Sequence, residues 1–359
     1  MTSPRWQHLR YALILFLVSR GALFAVTFIG HFLMAREPLP PETPTPFGPA
    51  SYWSAWCRGD AALSPKIATT GYSTTGPETA LFPLFPGLVK VTAAITGSVW
   101  SAAFLVANLA FLFCLWGIVR LTREPFGDAF ARRAAVIAAA FPTSFYLSAP
   151  VPDSTVFALF LWTSAAFMWR RPIATAVLGF ALAFGHIYGV LLLPPLVIAT
   201  FLRDGRNPMR WGRDALALLA MPLGLVAAHA AGAHIDVGRL VAVPWSEFLA
   251  AVGAVDWTFV KRDPIAVFAL LNIGAIALLV AASVSFARRR AWADLALALV
   301  FLMAALATPR IDLALRITAT VGPAIFFLAR VTARPTALHF ALSASALLLG
   351  LLATRFVTG

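Results

Sequence analysis

Long apolar runs recur along almost the whole chain, from Tyr11 to Ala353, and few charges interrupt them. Hydrophobic residues make up 60% of the sequence, and the mean hydropathy is +0.83. A helix needs roughly 20 apolar residues to cross a bilayer, and only helices or closed barrels satisfy the backbone there. A barrel would show short alternating strands, whereas these runs are continuous blocks of Ala, Leu, Phe and Val. The sequence therefore predicts an all-α polytopic membrane protein.

We expect one integral-membrane domain over residues 1–359, with eleven spans. The first apolar block is long for the core of a signal peptide and contains Arg20, so we interpret it as a retained helix. The predicted spans are 11–33, 99–119, 134–150, 154–169, 173–187, 190–202, 215–232, 264–286, 292–308, 313–329 and 336–353.

The positive charge has a pattern that favours one orientation. Although the net charge is +13, arginines cluster in short loops between apolar blocks, which is typical of cytoplasmic loops and gives no reason to expect nucleic-acid binding. The sequence therefore predicts a cytoplasmic N-terminus. Only Cys57 and Cys114 occur, so neither a disulfide framework nor a cysteine-rich metal site is expected.

Two outer, periplasmic segments are long. The first, 34–98, contains a proline-rich stretch, an aromatic patch and then Asp60. Its last part, 81–98, is apolar, but a crossing there would place the arginines of 120–133 outside, so we predict a re-entrant or interfacial helix. The second, 233–263, has tryptophans and basic residues suited to the headgroup layer. No internal repeat is evident, which weighs against an inverted-repeat transporter.

Asp60 is the first candidate for chemistry. A carboxylate held at a membrane face could act as a general base that takes the proton of an acceptor hydroxyl, with its pKa adjusted by partial burial and by Arg58. The alternative is a solvated loop carboxylate that pairs with Arg58.

Asp153 and His186 lie at predicted outer turns between spans. Asp153 could bind a hydroxyl, a sugar or a metal, or it could cap the helix that follows. His186 could contact a phosphate or shuttle a proton, or it could pack as an interfacial side chain.

Two arginines, Arg316 and Arg20, fall inside predicted spans, where a charge costs roughly 2.5–3.5 kcal/mol or more. Arg316 is near the outer face and could hold a lipid phosphate through its planar donor group; the alternative is an ion pair with Asp312, one turn away. For Arg20 we favour a structural role.

Several catalytic motifs are absent from the sequence. It has no Gly-rich phosphate loop, His-Glu-x-x-His, Gly-x-Ser-x-Gly or Asp-x-Asp, which weighs against a nucleotide-sugar enzyme of the soluble type. One loop aspartate without an acidic neighbour does not make a divalent-cation site. No cofactor is therefore predicted, although a divalent cation stays open.

The order of the outer-loop motifs resembles the PIG-V-like mannosyltransferases, a GT-C family. That family shows Arg-Trp-Asp, Ile-Ala-x-x-Gly-Tyr and Phe-Phe-Pro-Leu-Tyr-Pro, and this chain reads Arg58-Gly59-Asp60, then Ile67-Ala68-Thr69-Thr70-Gly71-Tyr72, then Leu81-Phe82-Pro83-Leu84-Phe85-Pro86. The segment 141–150 is similar to the family's Pro-Thr-Ser element, and Arg316 matches a late arginine.

The chain also departs from the family pattern. Gly59 replaces Trp, Leu63 and Ser64 replace an aromatic pair, Asp153 replaces Glu, and His186 replaces Arg. The base is retained, while positions that would shape the sugar or acceptor pocket differ, so the departures bear on the sugar more than on the reaction.

The resemblance implies a GT-C-like bundle of about eleven helices with interfacial helices in its first outer loop. It implies an inverting transfer of a hexose, and mannose is the first candidate. The donor would be a polyprenyl-phosphate sugar and the acceptor a lipid-linked or envelope glycan, on the outer face of a bacterial inner membrane. Asp60 would be the base. The predicted substrate-binding residues are Arg58, Lys66, Tyr72, Phe82, Phe85, Asp153, His186 and Arg316.

Two other functions stay open at this point. A transporter or flippase for a lipid-linked substrate would move it without covalent change. A non-catalytic member of the same family would bind substrate or act in assembly. The altered residues after Asp60, Leu63 and Ser64, leave that function open.

Overall fold

The computed structural model describes residues 4–34, 44–48, 51–73, 77–205, 208–234, 249, 253, 264–307, 313–319 and 322–358. Within these ranges all regular structure is helical. The α-helices, numbered in chain order, are α1 (Pro4–Leu33), α2 (Tyr52–Ala55), α3 (Leu63–Thr70), α4 (Leu84–Thr96), α5 (Val99–Phe126), α6 (Asp128–Ala140), α7 (Asp153–Met168), α8 (Pro172–Gly185), α9 (Tyr188–Leu191), α10 (Leu193–Asp204), α11 (Pro208–Ala230), α12 (Pro264–Arg288), α13 (Trp292–Leu306), α14 (Leu313–Ala319), α15 (Gly322–Val331) and α16 (Pro335–Thr358). Three 3-10 helices cover Gly59–Ala62, Pro77–Ala80 and Ser144–Leu147.

The all-α membrane architecture predicted from the sequence is confirmed. In the described parts of the chain, five helices are long and apolar enough to cross a membrane, and they lie within α1, α5, α11, α12 and α16. Shorter apolar helices of 10–17 residues, among them α7, α8 and α13, make up much of the remainder. Every predicted span contains a helix; the number of crossings stays a prediction.

The span predicted over 134–150 is wrong in its second half. Helix α6 ends at Ala140, because Pro142 removes a backbone donor and restricts the residue before it to extended conformations. Phe141 accordingly has φ −58° and ψ 140°. The chain then forms a 3-10 turn before α7 begins at Asp153.

The core is built around α5, which packs against α1, α4, α6 and α7. Helices α5 and α7 contribute large side chains to this core that are almost fully excluded from solvent, among them Phe111, Leu115, Phe157 and Leu161. Burial of one such side chain contributes about 1.5–3 kcal/mol. The pair α8 and α11 packs beside this core, and α12 supports α13 and α14.

The segment predicted as the first outer loop is fixed to the bundle by its aromatic patch. The hydroxyl of Tyr52 lies 2.6 Å from Thr27 Oγ1 on α1, and Trp56 is fully buried between Phe24 and Phe356. These contacts hold the short segment that carries Asp60 against the ends of α1 and α16.

A helix is present where the sequence predicted an interfacial or re-entrant one. Helix α4 buries Phe85 and Val89 against Ala102, Ala103 and Ala107 of α5. Most of the predicted second outer loop, 233–263, lies outside the described residues, as do Arg310 and Asp312.

Candidate active site

One arginine joins two distant carboxylates at the end of the bundle. Arg316 on α14 donates from Nε to Asp153 Oδ1 over 2.7 Å and from Nη2 to Asp153 Oδ2 over 2.6 Å. Its Nη1 donates to Asp60 Oδ2 over 3.0 Å. The Asp153 contact is the two-bond geometry for which guanidinium is suited. Three residues that the sequence singled out separately thus form one cluster.

Asp60 is the open member of this cluster. Its side chain is 42% exposed, whereas Asp153 is 9% and Arg316 14% exposed. It lies in the 3-10 helix that follows Arg58, and Gly59 holds a φ of +54°, a conformation that glycine adopts with little strain. One face of the carboxylate is therefore free for a further contact while the other is held by a cation.

Asp153 is the buried member. It occupies the first position of α7 after the cap residue Pro152, and its carboxylate pairs with Arg316. A negative charge is also favoured at a helix N-terminus. Of the helix-end alternative, the position in the first turn of α7 is observed, but the cap residue is Pro152 and the carboxylate of Asp153 pairs with Arg316. Asp153 thereby fixes the guanidinium plane.

Neighbouring residues hold Arg316 in place. The Tyr146 ring lies 4.5 Å from the guanidinium carbon, which is favourable for a cation. The backbone of Leu315 is fixed on both sides: its N–H donates to Asn272 Oδ1 over 2.7 Å, and its carbonyl accepts from Thr143 Oγ1 over 3.3 Å. Asn272 is 1% exposed. The alternative partner of Arg316, Asp312, lies outside the described residues.

Tyr146, Thr143 and Asn272 are site residues that were not predicted from the sequence. Tyr146 and Thr143 belong to the Pro-Thr-Ser element that was matched to a family, but no role was given to them. Asn272 is an isolated amide inside the apolar run of α12, which is the kind of signal that marks interhelical hydrogen bonding in membranes.

His186 lies beside this cluster. Asp153 and Arg316 both act on it electrostatically. Its ring stacks on Phe82 at a centroid distance of 5.8 Å and contacts Tyr188 at 4.0 Å, and Nδ1 accepts from the Tyr188 N–H over 3.3 Å. Because Nδ1 accepts this backbone hydrogen bond, Nε2 is the ring nitrogen that could contact a substrate.

Two predicted substrate residues organise the outer loop itself. Lys66 pairs with Glu78 over 3.2 Å. The hydroxyl of Tyr72 donates to the Leu81 carbonyl over 2.9 Å, and its ring packs against Gly232 at the end of α11. The structure shows loop-forming contacts for both residues, so substrate contact by either stays a prediction.

The remaining predicted residues differ in exposure. Phe85 is 1% exposed inside the packing of α4 against α5, so its observed role is in the core. Phe82 packs with Ala228 and Ala233 and presents its ring to His186. Arg58 is partly buried at the start of the 3-10 helix of Asp60.

Burial affects the outer-loop groups that can titrate. It raises the pKa of the Cys57 thiol to about 12, which keeps this cysteine protonated and unreactive. It also raises the pKa of Tyr72 to about 12. The pKa of Glu78 is lowered, chiefly by a hydrogen bond from Ser73 and further by Lys66.

The described residues contain no group of three or more His, Cys, Asp and Glu side chains that could hold a metal ion. Two carboxylates, Asp60 and Asp153, do converge here, which the sequence did not predict. The cation between them is the guanidinium of Arg316.

No protein-family model matches the sequence, and no curated protein matches it. The fold is similar to that of the Archaeoglobus fulgidus oligosaccharyltransferase in its apo form, with a TM-score of 0.49, 15% identity and coverage of 99% of this chain and 56% of that chain. It is also similar to ArnT from Cupriavidus metallidurans bound to undecaprenyl phosphate, with a TM-score of 0.47, 16% identity and coverage of 92% of this chain and 62% of that chain. This chain thus spans a little over half of each of these proteins, and at these scores no residue role is transferred from them.

Proposed function

We propose that this protein is an inverting glycosyltransferase of the GT-C type that takes a hexose from a polyprenyl-phosphate sugar and transfers it to a lipid-linked or envelope glycan. The observation that carries the proposal is the cluster of Asp60, Arg316 and Asp153 at one end of a membrane-helix bundle. Such a cluster offers an accessible base next to a cation suited to phosphate. The resemblance of the outer-loop motifs to PIG-V-like mannosyltransferases supports the same reaction and makes mannose the first sugar to test.

In the proposed reaction, Asp60 takes the proton of the acceptor hydroxyl. The acceptor oxygen forms a bond to the anomeric carbon while the bond from that carbon to the phosphate oxygen breaks. A single displacement of this kind inverts the configuration. The polyprenyl phosphate leaves with its electron pair, and Asp60 carries the proton until the product departs.

Arg316 stabilises the charge that develops on the leaving phosphate, because a preorganised cation in a partly dry site acts strongly on developing charge. Asp153 holds two of its donor groups, so Nη1 is the part of the guanidinium that points toward the open side of the cluster. His186, through Nε2, is the second donor available to the phosphate.

The charges at the opposite end of the bundle support an outer location for this site. The first turns of α1 and the last turns of α5 meet there, where His8 contacts Arg123, and Arg123 and Arg132 both pair with Asp128. Arginine-rich ends face the cytoplasm in most membrane proteins. We therefore propose a cytoplasmic N-terminus and an active site on the outer face of the bacterial inner membrane.

The test is to reconstitute the purified protein in lipid with a panel of polyprenyl-phosphate hexoses and a membrane-glycolipid extract as acceptor. Mass spectrometry then measures free polyprenyl phosphate. Release that requires both protein and acceptor is the expected result. An intact donor that changes leaflets indicates a transporter, and an intact donor that stays in place indicates a binding or assembly subunit; either outcome overturns the proposal.

A further inference from the structure

Arg20 is a charged side chain buried in the middle of α1, with 2% of its surface exposed. Its Nη1 donates to the Ser144 carbonyl over 2.9 Å and to Ser148 Oγ over 3.2 Å. Its Nη2 donates to the Ala139 carbonyl over 2.8 Å and to Ser144 Oγ over 3.2 Å. The Phe111 ring lies 4.4 Å from the guanidinium carbon.

The four hydrogen bonds from Nη1 and Nη2 all fall on one stretch of chain, from the end of α6 into the turn that follows. Ala139 is in the last turn of α6, where carbonyl groups lack helical partners and a cation is favoured. Ser144 and Ser148 belong to the turn that replaces the expected continuation of that helix. Asn108 of α5 adds a bond to the Ser148 carbonyl over 3.1 Å. Non-helical backbone at membrane depth requires such internal partners, and the forked guanidinium supplies four contacts at once.

The same stretch, 139–153, supports the candidate active site directly. Thr143 bonds to the Leu315 carbonyl, Tyr146 lies under the Arg316 guanidinium, and Asp153 binds Arg316 at the end of the stretch. Each of these residues is within five positions of a group that Arg20 holds. The described contacts therefore form a continuous path from Arg20 to Arg316.

We infer that Arg20 is a positioning residue for Arg316: it fixes the 139–153 stretch, and that stretch fixes the guanidinium that receives the donor phosphate. The phosphate part of this inference rests on the proposed function; the positioning part does not. Arg20 itself touches neither Asp60 nor the proposed substrate, and it acts through Tyr146, Thr143 and Asp153.

The variant Arg20→Lys keeps the charge but cannot reach both sides of the turn from one ammonium group. The test measures the hydrogen-exchange rate of the backbone amides in 139–153 and 313–319 by mass spectrometry of the detergent-purified protein. We expect exchange in both segments to accelerate by about tenfold, as for the loss of one hydrogen bond to a charged group. The milder variant Ser148→Ala should produce a smaller acceleration in the same segments. It replaces Arg20→Lys as the test variant if Arg20→Lys does not fold.

The control is Phe286→Leu, which loosens a buried cluster of α12 and α13 with Ala298 and Leu295. It should leave both segments at the wild-type exchange rate. Wild-type exchange in 313–319 for the Arg20 and Ser148 variants, or equal acceleration in the control, overturns the positioning role.

A second measurement uses binding of undecaprenyl phosphate to wild type, Arg20→Lys, Arg316→Gln and the double variant. If Arg20 acts through Arg316, Arg20→Lys weakens binding in the wild-type background and adds little in the Arg316→Gln background. Additive losses contradict the inference. Absence of binding to wild type contradicts the proposed function instead, while hydrogen exchange still decides the role of Arg20.

Discussion

Arg316 Nη1 lies 3.0 Å from Asp60 Oδ2, although the two residues are 256 positions apart. The same guanidinium is held by two bonds to Asp153. Before substrate binds, the proposed base and the proposed phosphate ligand are therefore partners of each other. A donor phosphate at Nη1 has to compete with the Asp60 carboxylate for that position.

This competition predicts a gain in lipid affinity when the base is neutralised. Asp60→Asn removes the resident carboxylate from Arg316, so undecaprenyl phosphate should bind more tightly, by up to about fivefold, because a partly exposed ion pair contributes up to about 1 kcal/mol. Titration of the purified variant with undecaprenyl phosphate measures the change. Equal affinity for wild type and variant would mean that phosphate binds elsewhere.

Loss of Arg316 should destabilise the protein by leaving Asp153 charged and buried. Breaking a buried pair on one side costs about 3–5 kcal/mol, so Arg316→Gln should lower the unfolding temperature in detergent. Adding Asp153→Asn removes the unpaired charge and should restore part of that loss. If the double variant is no more stable than Arg316→Gln, the Arg316–Asp153 pair is not buried.

Gly59 should resist substitution for a backbone reason. Gly59 has a φ of +54°, and a Cβ added there would have no neighbour within 4 Å. An alanine would therefore not clash, but its left-handed conformation would cost about 1 kcal/mol. Gly59→Ala should therefore lower stability and disturb Asp60. The matched control is Gly87→Ala in α4, which also has open space around it but no positive φ and should be neutral or slightly stabilising.

The outer loop should loosen in acid through Glu78. Its pKa is lower in the folded loop than the ordinary value of 4.5, chiefly through a hydrogen bond from Ser73, then through a backbone hydrogen bond, and to a smaller extent through Lys66. Its stabilising contribution is therefore complete above the ordinary pKa and is lost as the pH falls through the folded value. Limited proteolysis within 63–81 should accelerate below about pH 4.5 in wild type. The Glu78→Gln variant should be cleaved faster than wild type at neutral pH, and its cleavage rate should change little on acidification. A wild-type pH dependence of cleavage in that variant would show that Glu78 is not the group responsible.

The sequence predicted the long helices because apolar runs of membrane length have few alternative structures. It did not predict the short helices α2 and α3 or the division of 190–202 between α9 and α10. It failed at 134–150, where composition alone suggested a continuous span but Pro142 ends α6 and Arg20 stabilises the turn that follows. Hydropathy does not report which backbone groups a distant arginine can satisfy.

The site was predicted as parts and not as a whole. Asp60, Asp153 and Arg316 were each singled out, yet their expected partners were neighbours in sequence: Arg58 for Asp60, a helix end for Asp153 and Asp312 for Arg316. Local spacing is all that one sequence offers for pairing charges. The packing of α7, α14 and the first outer loop brings the three together, and the roles of Tyr146, Thr143 and Asn272 follow only from that packing.

Turnover by Asp60→Asn, measured in lipid with the donor and acceptor that wild type uses, tests whether Asp60 is the base. The variant keeps the size of the side chain and removes the base. We expect polyprenyl phosphate release to fall to the level without protein. The variant should lose at most about 4 °C in unfolding temperature, as for an ion pair of up to about 1 kcal/mol, and should bind undecaprenyl phosphate at least as tightly as wild type. Release at the wild-type rate by the folded variant would contradict the assignment of Asp60 as the base.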